Sequence, residues 1–226
     1  MNDVVLIGNG PSVKKYEYGD LIDSYKTVVR FNWYHIDGYE KHVGTKTDIW
    51  FTSIYDPIRA KKKYDHVIEH SWEWKHRNDK VYQKLKDAEI PAAKTFHKLI
   101  FDIKQYMDAK IGLRRSVMVP GGEYNVWSTG ALAAWWMLSH PQHNYEKLLL
   151  CEVSKRIPSF DKIDMFGFDW WDMTKGDYYH HGDSQAVGQN HKPKFELEFF
   201  RFLWEDDRIH DLNPESDFHH APLSND

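Results

Sequence analysis

The run Val4-Val5-Leu6-Ile7-Gly8-Asn9-Gly10-Pro11-Ser12 limits the possible folds of this chain more than any other stretch. Four consecutive apolar residues, three of them β-branched, read as a buried strand. The strand stops at two glycines, which permit a tight turn, and Pro11-Ser12 is suited to the first turn of a helix. A strand that turns into a helix N-terminus leaves amide groups directed outward, so an anion site is expected at the turn. The opening is not the G-x-G-x-x-G dinucleotide fingerprint, because Val13 stands at the third glycine position. By itself the turn also fits plain α/β architecture.

The rest of the chain repeats the theme. Thr27-Val28-Val29-Arg30-Phe31, Asp48-Ile49-Trp50-Phe51-Thr52, Val67-Ile68, Val117-Met118-Val119 and Ile163 to Phe168 read as strands. A helix is expected from Val13 to Ser24, a buried one over Ala131–Leu138 with Ser128 or Thr129 as its N-cap, and another from about Pro193 to Asp206. Arg208 to Leu212 reads as a last strand. Strands alternating with helices predict an α/β fold: a single Rossmann-like, mainly parallel sheet flanked by helices. No linker or repeat divides residues 1–226, so one domain is expected. Residues 170–190 are polar, aromatic and irregular, as a functional or mobile lid loop would be.

Composition bounds the partners. A formal charge of −4 over 226 residues argues against nucleic-acid binding. Aromatic residues make up 15% of the chain, a composition that serves either core packing or stacking on sugars and bases. The lone cysteine, Cys151, excludes an internal disulfide framework and suits a reducing compartment. No apolar run is long enough to span a bilayer, and the first strand starts too near Met1 for a leader, so a cytoplasmic protein is expected. Lys61 to Lys63 and Trp170-Trp171 leave peripheral contact with the inner face of a membrane open. Trp135-Trp136 serves equally as core or as a homo-oligomer interface.

In such a sheet ligands bind beyond the carboxyl ends of the strands, which here carry Asn9, Asn32, Thr52-Ser53 and Asp169. Uncharged donors and acceptors at successive strand ends suit a nucleoside's sugar and base. Ile7 to Ser12, Val29-Arg30-Phe31-Asn32 and Val43-Gly44-Thr45-Lys46-Thr47-Asp48 together resemble the large sialyl motif of sialyltransferases. Ser128-Thr129-Gly130 before an alanine-rich helix, closing at Phe166-Gly167-Phe168, is similar to the small sialyl motif. His191 with Glu196 matches the family's His-x4-Glu, and Tyr178-Tyr179-His180 its aromatic third motif. The Gly-Asn-Gly-Pro-Ser opening is closest to bacterial family 42, whereas Ser-Thr-Gly and Gly-Thr-Lys-Thr look like the animal enzymes of family 29. The disulfide that joins the two long motifs in the animal enzymes is impossible here. Val126 stands where bacterial relatives carry a basic residue, and the stretch around 140–160, with Lys155-Arg156, reads as an insertion.

The resemblance implies a variant of the GT-A arrangement and transfer of sialic acid from a CMP-sialic acid donor to a glycan or glycolipid hydroxyl, with inversion. No cofactor and no metal are implied. His191 is the candidate base, because an imidazole with a pKa near ~6.5 suits neutral pH. Tyr178 and Tyr179 are candidates to stabilise the leaving phosphate by phenolic hydrogen bonds. Gly8, Asn9, Gly10, Ser12, Asn32, Thr52, Ser53, Ser128, Thr129, Gly130, Gly167, Phe168, Asp169 and Glu196 are the candidate substrate-binding residues. Ser128 and Thr129 would cradle the sialic acid carboxylate at a helix N-terminus, or act as simple caps. Glu196 supports the loop or the histidine, or is an ordinary solvated glutamate. His180, His181, Asp183 and His191 also admit reading as a metal cluster, which lacks the helical His-x3-His pair. Two alternatives stay open: a transferase for another CMP-activated acidic sugar such as CMP-Kdo, and a catalytically silent nucleotide- or glycan-binding module.

Overall fold

Alternation along the strands explains how the layers form. In the computed structural model, which describes residues 2–70, 79–90, 92–95, 127–139, 159–169 and 193–215, β1 (Val4–Ile7) is buried along its whole length. Val4 and Leu6 point to one face of the sheet, Val5 and Ile7 to the other. The same split separates Val29 and Phe31 from Val28 in β2 (Thr27–Phe31), and Ile49 and Phe51 from Trp50 in β3 (Ile49–Thr52). A strand that is apolar on both faces belongs in the middle of a layered α/β sheet.

Among the described residues four further strands join it: β4 (His66–His70), β5 (Ala92–Thr95), β6 (Ile163–Phe166) and β7 (Ile209–Asp211). The seven strands run in the order β5-β4-β3-β2-β1-β6-β7, and every pairing is parallel. The expected Rossmann-like sheet is therefore present. Strand order reverses between β1 and β6, the switch point where such sheets open a crevice.

Helices α1 (Gly19–Asp23), α2 (Glu40–Val43) and α3 (Asp79–Asp87) contribute Ile22, Val43 and Leu85 to the core on one face. On the other face lie α4 (Thr129–Ser139) and α5 (Pro193–Glu205). Residues 131–138 of α4 are buried without exception. This is why the helix is apolar all round: the sheet covers one side and α5 the other. Trp127 and Trp135 meet the Phe199 ring edge-on at 5.5 and 6.1 Å. Trp135-Trp136 is thus core.

The helix expected over Val13–Ser24 is corrected. Pro11–Lys15 is a 3-10 turn, Tyr16 is extended, and only Gly19–Asp23 is α-helical. Tyr16 and Tyr18 stack at 5.1 Å and both pack on Phe166, so burial of two rings overrides local helix propensity. The edge strand β5 escaped sequence reading because Ala-Ala-Lys-Thr carries little strand propensity; pairing with β4 makes it a strand. The expected strand at Val117–Val119 lies outside the described residues.

Candidate active site

The carboxyl ends of the strands carry two separate polar knots. The first joins β1 to β6. The Gly8 amide donates to Phe166 O at 2.7 Å and the Gly10 amide to Gly167 O at 2.9 Å. A Cβ on Gly8 would overlap the Gly167 carbonyl, and one on Gly10 would lie 2.5 Å from Asp169 Oδ2. Gly167 itself has φ +78°, a conformation suited to glycine. These glycines let two backbones touch. Ser12 then donates its amide to Asp169 Oδ2 at 2.5 Å and its hydroxyl to Asp169 Oδ1 at 2.6 Å. The anion site expected at the start of a helix is corrected accordingly: the element that follows is a five-residue 3-10 turn, and the anion on the Ser12 amide is the chain's own Asp169.

The second knot gathers β2, β3 and α4 around Asn32, whose φ of 44° folds the chain back at the end of β2. Asn32 Oδ1 accepts from the Ser53 amide at 3.0 Å and the Ser53 hydroxyl at 3.3 Å, while Asn32 Nδ2 donates to Thr129 Oγ1 at 2.9 Å. Thr52 Oγ1 lies 3.4 Å from Asn32 Oδ1 and donates to Ile54 O at 2.7 Å. The Asn9 side chain reaches over from β1, its Nδ2 3.5 Å from Phe31 O.

Helix α4 is anchored from below this knot. Ser128 Oγ accepts the Ala131 amide at 3.1 Å, which makes Ser128 the N-cap and places Thr129 and Gly130 in the first turn. The Ser128 amide donates to Glu196 Oε1 at 2.6 Å. Glu196 is 2% exposed in the first turn of α5, so it is no solvated glutamate. A carboxylate held between two helix N-termini is in a favourable field. Phe168 packs edge-on against Phe31 and Phe200, at 5.8 and 5.5 Å, and is core.

Sequence reading passed over the frame that holds these ends. Arg30 is buried within β2, donating to Val43 O at 2.5 Å, Lys46 O at 3.0 Å and Thr47 Oγ1 at 3.1 Å. Burial pushes its guanidinium pKa down to about 10. Gly44 has φ +68°, and Asp23 accepts the Thr45 and Lys46 amides at 2.8 and 2.9 Å. Asp48 accepts the Val28 amide at 2.7 Å. The third block of the large sialyl motif, residues 43–48, is thus a turn clamped by β2 and α1. The signal was present: an arginine inside Val-Val-Arg-Phe must find buried acceptors. Trp33, next after Asn32 in the chain, is 43% exposed.

His191, Tyr178, Tyr179 and the lid at 170–190, with His180, His181 and Asp183, lie outside the described residues.

The geometry can be set beside known proteins. No curated protein matches the chain by sequence. A crystal structure of a mammalian sialyltransferase in complex with Gal-beta-1-3GalNAc-ortho-nitrophenol is similar at a TM-score of 0.52 and 18% identity, over 93% of this chain and 68% of that one. A second mammalian sialyltransferase structure gives a TM-score of 0.45 at 17% identity, with the same coverage. The first likeness shows a shared fold. The sequence profile of glycosyltransferase family 29 (sialyltransferase) matches residues 2–119, more than half of the chain, taking in both the β1 turn and the Arg30 frame. The chain belongs to glycosyltransferase family 29, the sialyltransferases.

Proposed function

We propose that this protein transfers sialic acid from CMP-sialic acid to a glycan hydroxyl, with inversion and without a metal ion. One observation carries the reading: in a chain of this family, Asn32, Ser53 and Thr129 meet at the carboxyl end of the sheet from three separate stretches of sequence. Such a cluster of neutral donors and acceptors suits a nucleotide's ribose and base. Asn9 borders it. The first turn of α4, with its aligned amides, faces the same knot through Thr129 and favours an anionic group of the donor.

In this reading His191 takes the acceptor proton, and Tyr178 and Tyr179 donate hydrogen bonds to the phosphate as CMP leaves. A terminal galactose or sialic acid is the proposed acceptor. The similar mammalian sialyltransferase in complex with Gal-beta-1-3GalNAc-ortho-nitrophenol supports the galactose choice. Peripheral contact with an acidic bilayer, through Ile58 and the lysines that follow it, is proposed for presentation of lipid-linked acceptors.

The test is release of CMP from CMP-sialic acid, in EDTA, with and without lactose. Lactose should accelerate release in the wild type, and His191→Ala should lower kcat by about 10²–10⁴-fold. Release that stops in EDTA would overturn metal independence. Release of CMP only from another CMP-sugar would overturn the donor assignment. Binding of CMP without turnover would mark a silent binding module.

A further inference from the structure

The β1 turn has its amides distributed in a definite pattern. Gly8 and Gly10 donate to the backbone beyond β6 at 2.7 and 2.9 Å. Between them the Asn9 side chain turns to β2, its Nδ2 3.5 Å from Phe31 O. Ser12 ends the turn, and both its amide and its hydroxyl hold Asp169, at 2.5 and 2.6 Å. Asp169 Oδ2 also fills the space over Gly10, where a Cβ would stand 2.5 Å away. The β6 side of the β1 turn is therefore occupied by a carboxylate that belongs to the protein.

We infer that Asp169 is a positioning residue, the resident anion of the β1 turn, which holds Asn9 toward the donor and keeps the donor's phosphate off Ser12. The inference rests on the CMP-sugar reading above and adds to it where the phosphate does not go. Two reasons support it. A charge-assisted pair of hydrogen bonds fixes the turn before any ligand arrives, so binding costs no reordering there. A phosphate placed on the same Ser12 donors would sit against a like charge.

The experiment compares cytidine with CMP. Their dissociation constants and kcat are measured for the wild type, Asp169→Asn, Asp169→Ala and Ser12→Ala. Removing the clasp should weaken cytidine about three- to tenfold, the size expected for one lost hydrogen bond. CMP should weaken less than cytidine in Asp169→Asn and Asp169→Ala, where the like charge is gone, and by the same factor as cytidine in Ser12→Ala, where it stays. Asp169→Asn, which keeps an acceptor oxygen, should fall between the wild type and Asp169→Ala. Ser12→Ala retains the amide bond and tests the same clasp if Asp169→Ala does not fold. A loss for CMP equal to that for cytidine in Asp169→Asn would show that the Asp169 charge does not hold the phosphate off Ser12, and would overturn the inference. Unchanged affinities, with or without a loss of kcat, would overturn it too. A wild type that binds neither ligand overturns the donor reading and this inference with it, whereas failure of the clasp alone shows only in the variants.

Discussion

Glu196 shows how much one side chain can organise. It reaches from α5 into the core and accepts the Ser128 amide at 2.6 Å, so the N-terminus of α4 is located by a residue on another helix. Glu196→Gln keeps an acceptor and should be mild. Glu196→Ala strands a buried amide and should cost about 1.5–3 kcal/mol, the range for a lost hydrogen bond to a charged group. Chemical denaturation measures this cost, and CMP binding should weaken in parallel as Thr129 loses its place beside Asn32. A change below about 0.5 kcal/mol, typical of a surface site, would refute the role. Gly8 makes a different point at the same scale. No unusual φ is needed there; the constraint is space, because the Gly167 carbonyl occupies the position of a Cβ.

Among the elements, the 43–48 turn depends most on its neighbours. It is held by Arg30 from β2, by Asp23 at the end of α1 and by the pairing of β3 that follows. Arg30 contributes a rigid fork of donors to four acceptors, Val43 O and Gly44 O in buried bonds and Lys46 O and Thr47 Oγ1 in part-buried ones. Arg30→Lys supplies a single ammonium and leaves some of those oxygens unpaired. The expected loss is about 2–4 kcal/mol, since each unsatisfied buried acceptor costs about 1–3 kcal/mol. Urea unfolding should show the midpoint lowered with an unchanged slope. Because the turn sets where β3 begins, and Ser53 lies at its far end, a milder loss of donor affinity should accompany it. A variant as stable as the wild type would show that the guanidinium is replaceable.

For the whole molecule, charge and shape matter more than any single contact. The protein is net acidic, yet Ile58 is 71% exposed on the turn after β3, and Lys61, Lys62 and Lys63 follow it, all exposed. An apolar tip beside cations is the pattern of an interfacial anchor. Co-sedimentation should be measurable with phosphatidylglycerol vesicles and absent with phosphatidylcholine, and it should fall with salt. Ile58→Asp combined with Lys61→Glu should abolish it. Equal binding to both vesicle types would remove the proposed anchor. Among the described residues, no helix is long and apolar enough to cross a membrane.

What could be read from the chain alone follows from the range of the forces involved. Strand propensity, two-residue alternation and capping act over a few neighbours, so β1, β2, β3, β6, α4 and α5 were legible, as was Ser128 as one of two possible caps. The large sialyl motif also stood in the sequence, and it lies within residues 2–119 that match the family 29 profile. Whether a motif residue faces ligand or frame was not legible. Ser12 and Asp169 are 157 positions apart, and Ser128 and Glu196 are 68 apart. No local pattern pairs them; only the sheet order, with β6 laid against β1 and α5 against α4, brings each buried donor to its acceptor. The sequence by itself therefore determined the layers and the polar residues at the strand ends. The tertiary structure decided which of them bind one another, because a buried hydrogen bond must be completed by whatever the fold brings near.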